Sequence, residues 1–121
     1  MELREVLTAI DAKVLCCDEG IDGINIETAY ACDLMSDVLA FCAPGSLLMT
    51  GLTNIQIVRT AQMLDIPAIL FVRGKTPQEE TVALANKSGI PIILSNYSLY
   101  EACGILYAKG LPPCTIEPRE K

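Results

Sequence analysis

Histidine is absent from this chain, and so is tryptophan. Without histidine there are no His-containing zinc sites and no His-based acid–base or nucleophile chemistry. Aromatic residues make up only 5% of the sequence although apolar residues make up 51%. The apolar content is therefore aliphatic, which suits a sheet covered by helices. Six cysteines are present, at 16, 17, 32, 42, 103 and 114, but no Cys-x-x-Cys pair and nothing with iron–sulfur cluster spacing. No apolar run approaches the roughly 18 residues of a membrane span. Glu2, Arg4 and Glu5 interrupt the first residues, which argues against a signal peptide. The expectation is a cytoplasmic protein with reduced thiols that pack as small core residues.

A basic surplus is also missing. The net charge is −6 over 121 residues. Residues 1–42 hold nine acids against Arg4 and Lys13, and the remainder holds six acids and seven bases. Nucleic acid is thereby disfavoured as the main partner, since phosphate backbones need a basic surface. The mean hydropathy of +0.39 is high for a small soluble monomer. Apolar surface left over after folding is most simply covered by a second copy, so a homodimer is expected.

What is present is a repeated phrase. Ile66-Pro67-Ala68-Ile69-Leu70 recurs as Ile90-Pro91-Ile92-Ile93-Leu94, 24 residues later. That spacing accommodates one strand, one helix and two short loops. Around it the periodicities predict an α-β-β-α-β-α-β-α-β-α order. Leu3, Val6, Leu7 and Ile10 mark a first helix. Lys13–Cys17 and Ile24–Ala31 read as strands. Asp33 reads as the N-cap of a helix through about Cys42. Ser46–Thr50 is a strand, and a helix follows over about Asn54–Leu64. After the first Ile-Pro strand, Thr76, Pro77 and Glu79 form a capping-box pattern that predicts a helix start. Ser98 and Glu101 do the same for the last helix. The fold class is α/β, with a mainly parallel sheet flanked by helices. One domain is expected over 1–111, with a frayed tail over 112–121.

Parallel strands gather their following loops on one sheet edge, the usual place for a ligand. Three loops meet that description here. They offer Thr50, Thr53 and Asn54; then Arg73, Lys75 and Thr76; then Ser95 and Asn96. Helix starts with free amides favour anions, and Arg73 and Lys75 add charge. A phosphorylated small molecule or nucleotide is the ligand class this pattern suits. The alternative is that these residues only cap helices and turn the chain. Gly74-Lys75-Thr76 is not a P-loop, because Ile69 stands where that motif needs its first glycine. Asp18, Glu19 and Asp22 lack the alternating spacing of a calcium loop. No catalytic residue, metal ligand or cofactor is assigned.

The run Tyr30-Ala31-Cys32-Asp33-Leu34-Met35-Ser36-Asp37-Val38 resembles the signature segment of DRTGG-domain proteins. The similarity continues through Pro44-Gly45, Thr50, Asn54-Ile55, Pro67-Ala68-Ile69 and Arg73-Gly74-Lys75-Thr76-Pro77. The resemblance implies a fold like the N-terminal domains of HPr kinase/phosphorylase and of Mur ligases. It also implies a regulatory or associative role, often through a homodimer, with no family-wide catalytic residues. The literal Asp-Arg-Thr-Gly-Gly is absent. Asp22-Gly23 is the nearest fragment, and Ala29 stands where a glycine often precedes the tyrosine.

The sequence thus reads as a non-catalytic regulatory or ligand-sensing module. An interaction subunit docking on a larger metabolic or redox enzyme is the alternative, and a small enzyme is a third reading.

Overall fold

The computed structural model describes residues 1–116. They contain five helices and five strands, which alternate from Thr28 onward. They are α1 (Leu3–Ala9), β1 (Lys13–Cys16), β2 (Thr28–Ala31), α2 (Met35–Phe41), β3 (Ser46–Thr50), α3 (Ile55–Met63), β4 (Ala68–Phe71), α4 (Glu79–Ser88), β5 (Ile92–Leu94) and α5 (Leu99–Ala108). A single 3-10 turn, Asp18–Gly20, lies between β1 and β2.

The strands form one sheet in the order β1-β5-β4-β3-β2. The pairs β2–β3, β3–β4 and β4–β5 are parallel, and β1 runs antiparallel to β5 with a register shift between Val14 and Cys16. The sheet is therefore mainly parallel and flanked by helices, as expected. Both Ile-Pro phrases become adjacent central strands, with Ile69 opposite Ile92 and Leu70 opposite Ile93. Continuous apolar runs are what a strand buried on both faces requires. All four residues of β4 and all three of β5 are buried. Each buried Leu or Ile of this kind contributes about 1.5–3 kcal/mol.

Alternation along the strands divides the core in two. Leu47, Met49, Ala68, Leu70 and Ile93 face α1 and α5. Leu48, Ile69, Phe71, Ile92 and Leu94 face the side covered by α2, α3 and α4. Two helices on one face and three on the other leave the β2 end of the first face less covered.

Several boundaries differ from the sequence expectation for identifiable reasons. The alternating Ile24–Ala31 segment joins the sheet only from Thr28. Its first part pairs instead with the N-terminus: the Leu3 amide donates to the Ile24 carbonyl and the Ile26 amide to that of Met1. The helix after Lys75 begins at Glu79, with Gln78 as N-cap and no side-chain cap. Thr76 is therefore not the cap, and the capping box does not form. Arg73 and Gly74 both adopt left-handed backbone, and Pro77 is buried, so the chain spends its next residues in the loop before turning helical. The last helix does start as predicted: the Ser98 hydroxyl accepts from the Glu101 amide at 3.2 Å.

The expected frayed tail is corrected over its first residues. The Ala29 amide donates to the Pro112 carbonyl and the Cys114 amide donates back to Ala29, extending the sheet beyond β2 by one bridge. Cys114 is buried there. The tail beyond 116 lies outside the described residues. Among those described, no helix is long and apolar enough to cross a membrane.

Candidate ligand site at the strand ends

The C-terminal ends of the parallel strands bring four loops together. Asp33, after β2, is the organising residue. It was expected to cap α2, but that helix has Leu34 as its N-cap and no side-chain cap. Asp33 reaches across to the neighbouring strand instead. Its Oδ1 accepts from the Thr50 hydroxyl at 2.7 Å and from the Gly51 amide at 2.9 Å. Thr50 Oγ in turn accepts from the Leu52 amide at 3.1 Å. The parallel register places Ala31 opposite Met49, so the residues just past both strand ends are within side-chain reach.

Arg73 closes the site from the other side. Its Nη2 donates to the Gly51 carbonyl at 3.3 Å. Its backbone is left-handed, with φ 61°, and Gly74 follows at φ 62°. A non-glycine residue in that region costs about 1–2 kcal/mol. Two cross-strand bonds hold it there: the Arg73 amide donates to the Tyr97 carbonyl at 2.8 Å, and the Gly74 amide to the Ser95 carbonyl at 2.9 Å. Such strain is often kept where a side chain must be aimed.

Two glycines permit the close approach. A Cβ on Gly51 would sit 3.1 Å from Arg73 Nη2 and 3.6 Å from Asp33 Oδ2. The guanidinium and the carboxylate thus flank Gly51. A Cβ on Gly74 would meet Asn96 Oδ1 at 2.6 Å. Asp33, Gly51, Arg73, Gly74 and Asn96 form one contiguous patch, with Asp33, Arg73 and Asn96 exposed.

The eight residues singled out from sequence divide into two groups. Thr50 and Ser95 are fully buried, and their hydroxyls are engaged internally. Ser95 Oγ donates to the Ile10 carbonyl at 2.7 Å and accepts from the Tyr97 amide. Thr53 is 5% exposed, and its carbonyl accepts the Thr81 hydroxyl at 2.9 Å. Asn54 caps α3, accepting from the Gln56 amide at 3.0 Å. Those four position the loops. Arg73, Lys75, Thr76 and Asn96 are exposed and face solvent. Sequence reasoning missed the bridging role of Asp33, because an aspartate before a helix satisfies the capping pattern equally well.

Three thiols, Cys16, Cys42 and Cys114, are buried. Burial pushes Cys16 up to about 11 and Cys42 up to about 12, which keeps both protonated near neutrality. Cys114 is also raised by burial, but hydrogen bonds from the Ser46 and Thr28 hydroxyls outweigh this and hold it below the usual thiol range. Its Sγ lies 2.9 Å from Ser46 Oγ and 3.4 Å from Thr28 Oγ. Among the described residues, no group of three or more Cys, Asp or Glu side chains is arranged to hold a metal ion.

A family profile described as the DRTGG domain matches residues 5–108. Among solved structures, the chain is similar to the CBS and DRTGG domains of the regulatory region of Clostridium perfringens pyrophosphatase, determined in complex with its activator, diadenosine tetraphosphate. The TM-score is 0.68 at 18% identity, over 92% of this chain and 47% of that one. The chain thus spans about half the length of that regulatory region, and the likeness is one of fold. No curated protein matches the sequence.

Proposed function

This chain belongs to the DRTGG-domain family, and on that premise we propose that it is a non-catalytic, homodimeric regulatory module that senses a phosphorylated small molecule or nucleotide at the strand ends. The observation that carries this reading is the Arg73 guanidinium, aimed over Gly51 by a strained backbone that two cross-strand hydrogen bonds enforce. Arg73 and Lys75 supply positive charge and Asn96 supplies an amide, while Gly51 and Gly74 make room for the Arg73 and Asn96 side chains. Asp33 fixes the loop geometry, and its Oδ2 and the Arg73 guanidinium flank Gly51 without pairing with each other. A carboxylate there selects ligands with a donor next to the anionic group, such as a ribose hydroxyl beside a phosphate. The absence of histidine and the commitment of Asp33 Oδ1 to Thr50 and Gly51 favour binding over chemistry.

The solved neighbour supports a regulatory role by fold, because its DRTGG domain lies in the regulatory region of an enzyme. The same fact favours a second reading, an interaction subunit that docks on a larger metabolic or redox enzyme. The test is a thermal-shift panel of nucleotides, dinucleoside polyphosphates and phosphorylated metabolites. A ligand at 100 times its Kd stabilises the folded state by about 2.7 kcal/mol through mass action. At least one phosphorylated compound should raise Tm, and Arg73→Ala with Lys75→Ala should abolish the rise. No shift across the panel, or a shift that survives the double substitution, overturns the site.

A further inference from the structure

Two of the six cysteines, Cys16 and Cys17, are neighbours in sequence. Successive side chains along a strand point to opposite faces, so adjacent thiols in an extended chain face apart. Here they converge. Cys16 ends β1, and Cys17 leaves the strand in left-handed backbone at φ 64° and ψ 35°. That conformation is costly for a residue other than glycine. Its effect is to set both sulfurs against the turn at residues 85–90, where α4 ends. Cys16 Sγ lies 3.5 Å from the Ile90 carbonyl oxygen. Cys17 Sγ lies 3.9 Å from that of Ala85 and 3.7 Å from Asn86 Oδ1. The Ile90 amide donates to the Ala85 carbonyl at 2.9 Å, which closes this turn. Burial is the main reason the Cys16 proton is held tightly, and the Cys17 thiol adds to it, so each sulfur lies within the other's field. The pair stands at the opposite sheet edge from the ligand loops, because Cys16 is opposite Ile92, the first residue of β5.

We propose that Cys16 and Cys17 form a two-sulfur site for a thiophilic monovalent cation of the Cu(I) class. The donor set selects the ion. Structural zinc takes four ligands, and iron–sulfur clusters take four cysteines. Among the described residues, no third Cys, Asp or Glu side chain joins this pair, so neither is satisfied. Soft thiolates select Cu(I), which is content with two of them. The surroundings favour a cation. The last carbonyls of α4 form the negative end of its dipole, and the Asp18 carboxylate follows Cys17 directly in the chain. Cys17 is half-buried, which gives an ion a way in, and Cys16 is 8% exposed, which shields the bound ion from water. The strain at Cys17 has a use on this reading, since it is what turns the second sulfur to the side of the first. Binding is a ligand exchange. The ion arrives as Cu(I) held by two small-molecule thiolates, two bonds to Cys16 and Cys17 sulfur form, and the two carrier bonds break. The two cysteine protons pass to the departing thiolates, because the ligating form is the deprotonated one. Copper stays Cu(I) throughout, so no oxidant or reductant takes part.

Competition with a chromophoric Cu(I) chelator, using the whole reduced chain without oxygen, tests the site. The unsubstituted chain should withdraw one equivalent of Cu(I), and copper K-edge absorption should show two sulfur neighbours. Cys17→Gly removes one sulfur at a position whose backbone glycine adopts freely, so folding is not at stake. It should weaken Cu(I) binding by roughly 100-fold or more, since losing even a group behind a ligand costs about 10–100-fold. Cys114→Ser, which keeps a hydrogen-bonding group beside Ser46, should leave the affinity unchanged. A chain that withdraws no Cu(I) overturns the proposal. Binding that survives Cys17→Gly, or that is lost in Cys114→Ser with an unchanged far-UV spectrum, places the ion elsewhere and overturns the assignment. Displacement of the bound Cu(I) by equimolar Zn(II) overturns the ion class.

Discussion

Replacing Asp33 with alanine removes the acceptor shared by Thr50 and Gly51, at 2.7 and 2.9 Å. Hydrogen bonds to a charged group contribute about 1.5–3 kcal/mol each. Both donors are buried, so a lost partner is not simply replaced by water. The Thr50 hydroxyl can rotate toward another acceptor, but the Gly51 amide is fixed by the backbone. Leaving one such buried donor unmade costs about 1–3 kcal/mol. Because Asp33 itself stands exposed, solvent recovers part of the loss. Asp33→Ala should therefore destabilise the fold by about 2 kcal/mol, and Asp33→Asn, which keeps an oxygen acceptor, by about 1 kcal/mol. For a chain of this size the alanine variant should melt about 6–10 °C lower. Losing an N-cap would also cost about 1 kcal/mol, so the single variant does not separate bridge from cap. A double-mutant cycle with Thr50→Val does, read by urea unfolding. The bridge predicts a coupling of about 1 kcal/mol between the two positions. Additive effects, or an Asp33→Ala variant as stable as the parent, would refute the bridge.

Thr60 in α3 is fully buried, and its hydroxyl has no hydrogen-bond partner among the described residues, so Thr60→Val should stabilise the protein by about 1 kcal/mol in the same unfolding assay. Ser95→Ala strands the Ile10 carbonyl and should cost about 1–2 kcal/mol, while leaving any ligand-induced rise in Tm intact, because that hydroxyl is buried and engaged internally. Stability should also fall at alkaline pH. Cys16 and Cys42 are held protonated by the fold, at about 11 and about 12 against an ordinary 9.0. Groups raised on folding contribute fully below the unfolded value and lose that contribution as pH rises through the folded one. Urea midpoints should therefore decline from about pH 9 upward, and Cys42→Ala should make the decline shallower.

The parallel core was legible in the sequence because apolar runs, prolines at strand starts and glycines at helix ends are local signals. The Ile-Pro phrases fall on β4 and β5, and Gly89 ends α4 in the left-handed conformation that glycine adopts readily. Features that depend on which segments meet in space were not legible. The alternation of Ile24 and Ile26 is real, but it serves a pairing with the N-terminal residues that no periodicity could reveal. Asp33 and Thr76 both matched cap patterns. Asp33 found two stronger donors one strand away, and Thr76 lost its helix to the consecutive left-handed turn at Arg73 and Gly74. At the proposed site, the structure leaves Arg73, Lys75, Thr76 and Asn96 exposed at the sheet edge. Burial then showed that Thr50, Thr53 and Ser95 support the loops from within.

The central claim, that the strand ends hold a phosphorylated ligand, is tested most directly by amide NMR titration of the isotopically labelled chain with dinucleoside polyphosphates, nucleotides and phosphorylated metabolites. The account predicts saturable shifts at Gly51, Arg73, Gly74 and Asn96 for at least one of these compounds, lost in Arg73→Ala with Lys75→Ala. Shifts confined to α1 or to α5, or no shift with any compound, would contradict it.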